Sequence, residues 1–101
     1  MFLERRTVSP KTPLDGRLEI TRRVAARCEE LGVTFEVELA DRRTPARIGT
    51  LECTCRGVGN PHVHYFIDCA ALMKLVPGHE VDLHMDAAAK VVRVSPVRPD
   101  A

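Results

Sequence analysis

Residues 53 to 64, CTCRGVGNPHVH, place two cysteines with a single residue between them and two histidines with a single residue between them, and a turn-like segment lies between the pairs. Thiolate sulfur and imidazole nitrogen are ligands that zinc prefers. If the flanking segments pair as a hairpin with a symmetric register, Cys55 lies opposite His62 and Cys53 opposite His64. Residues two apart in a strand share a face, so Cys53, Cys55, His62 and His64 would form one patch. Directly opposed Cβ atoms are ~4.5–5.5 Å apart, whereas the spacing along each strand is nearly ~7 Å. The square is therefore wide for a tetrahedral ion, and the histidine side chains and the strand twist must close it. A variant site would use one of these pairs with Cys69, His79 or His84.

The competing reading makes the same residues ordinary sheet. Val63, Tyr65 and Ile67 are the stronger apolar set of their segment, which turns His62 and His64 away from the core. Cysteine is itself among the most buried residue types. Cys–His nucleophilic chemistry would need a third group to orient the imidazole, and none can be placed from the sequence. The expectation is a non-catalytic binding or regulatory module with a structural zinc site at Cys53, Cys55, His62 and His64. A thiol-dependent enzyme using Cys53 or Cys55 is a further alternative.

Arginines supply the other chemistry. Arg23 and Arg27 form R-x-x-x-R, and Arg42, Arg43 and Arg47 cluster in a loop that Arg5 and Arg6 could extend into a phosphate-binding patch. The order of R-x-x-x-R followed by a turn-bearing strand pair resembles PilZ domains, small β-barrels that bind a cyclic dinucleotide. Of that family's second motif, D/N-x-S-x-x-G, the segment Thr54-Cys55-Arg56-Gly57-Val58-Gly59 keeps only the final glycine. The resemblance spans residues 23 to 94 and implies a cyclic-dinucleotide site at Arg23 and Arg27; with the loop arginines Arg42 and Arg43 it gives the alternative expectation of a nucleotide- or nucleic-acid-binding barrel, PilZ-like or OB-like. The family carries its arginine pair on a loop, whereas here the periodicity puts Arg23 and Arg27 on the wet face of a helix.

The elements that must position these groups follow from periodicity. Asp15 is a suitable N-cap and Gly32 a suitable stop, and between them Leu18, Ile20, Val24, Ala25, Cys28 and Leu31 fall on one half of a helical wheel. Glu19 and Arg23 would pair one turn apart on the wet side. Val33, Phe35, Val37 and Leu39 alternate with Thr34, Glu36 and Glu38 as a strand. Residues 48–55 and 62–68 are the second and third strands. AALMKLV, residues 70–76, reads as a short helix stopped by Pro77–Gly78. Residues 80–86 and 91–97 supply two more strands. The expected fold is α+β: an N-terminal amphipathic helix on a small antiparallel five-stranded sheet or OB-like barrel, with a short helix between strands three and four. Residues 1–14 are expected as an irregular arm, 15–96 as one globular domain and 97–101 as a flexible tail.

Composition narrows the class. The 101 residues suit one domain. A net charge of +1 gives no global field towards nucleic acid or membrane. One Tyr, three Phe and no Trp leave little for base stacking. No segment approaches the ~20 apolar residues of a membrane span, and the N-terminus lacks the apolar run of a signal peptide. The expectation is a cytoplasmic protein, bacterial in style, with reduced thiols. A protein partner or a homodimer through an exposed strand edge is a further expectation.

Overall fold

The computed structural model describes residues 1–54, 57, 59 and 61–97. The expected architecture does not form. In its place the chain makes a seven-stranded mixed sheet, curled into a half-barrel, with two short helices. In chain order the elements are β1 (Phe2–Thr7), α1 (Thr12–Asp15), β2 (Arg17–Ile20), α2 (Arg22–Glu29), β3 (Phe35–Leu39), β4 (Arg42–Cys53) and β5 (His62–Asp68). A 3₁₀ turn (Ala70–Lys74), β6 (Glu80–Asp86) and β7 (Val91–Pro96) follow. The sheet order is β1-β6-β7-β3-β4-β5-β2. Every neighbouring pair is antiparallel except β3 with β7.

The long helix expected between Asp15 and Gly32 breaks into a strand and a helix. Leu18 and Ile20 are two apart, a spacing that a strand satisfies as well as a helix. Pairing β2 with β5 sets Leu18 opposite Ile67, and both are fully buried. Gly16 separates α1 from β2 at φ 71°, and a Cβ there would come within 2.8 Å of the Cys69 carbonyl oxygen. The working N-cap is Thr21, whose hydroxyl accepts the Val24 N–H at 3.3 Å. From there α2 buries Val24, Ala25 and Cys28, the apolar stripe read from the sequence, on the sheet.

Residues 2–7, read as part of an irregular arm, form β1, paired with β6 from Thr7↔Glu80 to Phe2↔His84. Val33 is exposed rather than core, because β3 begins only at Phe35. Of the tail, Val97 is described, and residues 98–101 lie outside the described residues.

β4 joins the two halves of the sheet. Residues 42–46 pair with β3, and residues 47–53 pair with β5. The curl brings the two edge strands towards each other. Thr21 Oγ1 donates to Glu4 at 3.1 Å, Arg6 Nε donates to the Glu19 carbonyl at 2.9 Å, and Arg23 donates to the Leu3 carbonyl at 3.2 Å. Side chains thus bridge a seam that the backbone ladder leaves open. The core inside the curl contains Leu18, Val24, Cys28, Val37, Ile67, Leu72, Leu83 and Val92. Among the described residues no helix is long and apolar enough to cross a membrane.

Candidate metal centre

The core fixes the register of the β4–β5 ladder. Ile67 is fully buried and sits opposite Ile48, which packs against the core. Counting outward from this pair, Leu51 lies opposite His64 and Cys53 opposite His62. The expected pairing, Cys55 with His62 and Cys53 with His64, is therefore displaced by two residues. A two-residue slip preserves the parity of a strand, so Cys53 stays on the face of the histidines. Ile67 and Tyr65 point towards the core, while Val63 is exposed where the strand runs out past its cover. His62, His64, Phe66 and Asp68 take the other face. Cys55 lies outside the described residues.

On that outer face the ligand atoms of Cys53, His62 and His64 all lie within 4.8 Å of one another. The Nε2 atoms of the two histidines are 3.1 Å apart, their rings crossing edge to face at 67°. In a tetrahedral zinc site with Zn–N of ~2.0–2.1 Å, two nitrogens stand about 3.3–3.4 Å apart. The histidine pair is already at nearly that separation, and the Cys53 sulfur lies within 4.8 Å of it.

A third strand supplies the supporting contact. β2 sets Glu19 opposite Phe66, beside the histidine row, and Glu19 Oε2 accepts from His64 Nδ1 at 2.9 Å. That bond fixes the proton on Nδ1 and leaves the Nε2 lone pair for a ligand, the carboxylate–histidine arrangement that orients metal-bound imidazoles. The Glu19 carboxylate, and after it Cys53, raises the His64 pKa above the ordinary histidine value, against the opposing effect of burial. Nothing in the sequence spacing points to Glu19: it is 45 residues from His64, and helical periodicity assigns it to Arg23 instead.

The rest of the face packs around this group. Arg17 Nε pairs with Asp68 at 3.0 Å, and its guanidinium lies 5.6 Å from the Phe66 ring centre. Gly49, opposite Phe66, makes room for this pair, because a Cβ there would collide with the Asp68 carboxylate. A cleft of about 480 Å³ opens beside Cys53 and His64.

The other sulfur and imidazole groups named from the sequence do not join the cluster. Cys69 is buried with its Sγ near the Thr44 carbonyl, and burial raises its pKa. His84 stacks on Phe2 with ring centres 5.3 Å apart. His79 sits in the turn before β6, its backbone N–H bonded to Val76. Burial pushes the Cys28 thiol up to about 12, which makes it inert.

The arginines of the nucleotide alternative serve separate neighbours. Arg23 and Arg27 are on α2, where Arg23 caps the Leu3 carbonyl and Arg27 pairs with Glu30 at 3.5 Å. Arg42 and Arg43 open β4, and Arg43 reaches Glu38 at 3.4 Å. Arg5 pairs with Asp82 at 2.7 Å.

Comparison of the chain with family models, with curated proteins and with solved structures finds no match.

Proposed function

We propose that the protein is a small non-catalytic metal-binding module in which Cys53, His62 and His64 hold a zinc-type ion. The observation that carries this reading is the convergence of one sulfur and two ring nitrogens within 4.8 Å, with His64 backed by Glu19. Each ligand belongs to a different rung or strand of the sheet's outer face, away from the core. An ion there would staple the far end of β4 to β5 and, through Glu19, to β2. Such an ion stabilises the fold by mass action, by about 2.7 kcal/mol when present at a hundred times its Kd. Cys55, two residues beyond Cys53, is the sequence's own candidate for a further ligand. Metal analysis of the purified chain tests the reading. About one zinc per chain is expected, lost in Cys53→Ser and in His64→Ala; retention in Cys55→Ser would restrict the protein ligands to the three described here. A chain that purifies without metal and takes up none on titration would sink it.

One observation favours a second reading. The series Cys53–His64–Glu19 has the order of nucleophile, base and orienting acid, and Glu19 is the third member that the sequence alone could not supply. An activated thiol would be alkylated by iodoacetamide at neutral pH far faster than an ordinary cysteine, and Glu19→Gln would slow it. Ordinary reactivity at Cys53 in the metal-free chain excludes this reading and leaves the metal reading untouched.

A further inference from the structure

The cleft beside Cys53 and His64 has the size of a small-molecule site and a consistent chemical character. Two of the three candidate ligands, Cys53 and His64, line it, and His62 does not. Leu51, half-exposed, and the Phe66 ring give it apolar walls. Lys11, from the loop after β1, and Arg17 stand along it. Arg17 is paired with Asp68 at 3.0 Å, Glu19 holds His64 at 2.9 Å, and Asp15 Oδ1 accepts the Arg17 backbone N–H at 3.1 Å. Lys11 has no side-chain partner among the described residues. A divalent ion bound by one thiolate and two neutral imidazoles keeps one net positive charge, and the ion dominates the local field. A three-ligand set also leaves one position of a tetrahedron for an exogenous group.

We propose that this cleft binds a small monocarboxylate with a short hydrocarbon tail, its carboxylate filling the open position on the metal next to Lys11 and its tail lying on Leu51 and Phe66. This rests on the metal reading above. The apolar walls select against inorganic anions, and the positive end selects against neutral molecules of the same shape.

Cobalt(II) in the full-length protein separates the two claims, because its visible bands report both thiolate ligation and any change at the open position. Cobalt is expected to give tetrahedral bands, and butyrate to shift them saturably, whereas n-butanol leaves them in place. Acetate should bind more weakly than butyrate. Lys11→Ala should weaken the butyrate response about fivefold, with cobalt affinity unchanged. Tetrahedral cobalt bands that butyrate does not move overturn the cleft proposal and leave the metal reading standing. A butyrate response that is equal in Lys11→Ala, or is matched by n-butanol, also overturns it. Absence of the cobalt bands overturns the metal reading and this inference with it.

Discussion

His64 works between two partners, with Glu19 on one ring nitrogen and His62 on the other. Because the Glu19 bond fixes which nitrogen carries the proton, the carboxylate should matter to metal affinity although it is not a ligand. Glu19→Gln is expected to weaken zinc binding roughly 10- to 100-fold, the usual cost of losing such a supporting group, with the fold retained. Competition with a chromophoric chelator measures this, and an unchanged affinity would remove Glu19 from the account. At this scale the sequence was informative about types and silent about neighbours. The Cys and His pairs stood out by chemistry and parity, whereas Glu19 and His64 meet only because β2 and β5 pair across more than forty residues.

Elements explain where the sequence reading failed. Leu18 and Ile20 fit a helix and a strand equally, and pairing with β5 decided between them, which no local pattern contains. The stripe Val24, Ala25, Cys28 remained helical, with Thr21 as the N-cap where β2 ends. Sheet register was not legible: alternation set His62 and His64 apart from Val63, Tyr65 and Ile67 but left the face of Cys53 open, and the Ile48↔Ile67 core pair set the alignment. The β3–β4 turn shows another local conflict. Ala40 and Asp41 both have positive φ, 52° and 63°, the two-residue hairpin geometry that suits Asn-Gly and Gly-Gly. Ala40→Gly removes the Cβ penalty of the left-handed region, partly offset by a more flexible unfolded chain. A gain of roughly 0.5–1 kcal/mol in urea unfolding is expected, and a loss would show the turn is not strained.

For the molecule as a whole, the central fact is the junction of a parallel pair with an antiparallel one around β3. Glu38 sits opposite Arg93 on the β7 side and opposite Arg43 on the β4 side, accepting from them at 2.7 and 3.4 Å. Arg93 chiefly, with Arg43, holds the Glu38 carboxyl below its ordinary value of 4.5. A lowered folded-state pKa means that the pairing stabilises above pH 4.5 and is lost as pH falls through the lowered value. Glu38→Gln should therefore lower the Tm near neutrality, and the difference from wild type should shrink in acid. A constant difference across that range would show that Glu38 acts by shape rather than charge. Alternation marked Glu38 as the wet face of a strand, but the curl, the seam from β1 to β2 and the strand order are products of long-range pairing. The same long-range pairing puts the candidate centre on the outer face, where an ion can be gained or lost with the core intact.

The most direct test of that centre is X-ray absorption at the zinc edge of the loaded full-length protein. The expected first shell holds sulfur at ~2.3 Å and two imidazole nitrogens at ~2.0–2.1 Å, with the sulfur absent in Cys53→Ser. A shell of oxygen atoms alone, or a sulfur signal that survives Cys53→Ser unchanged, would contradict it.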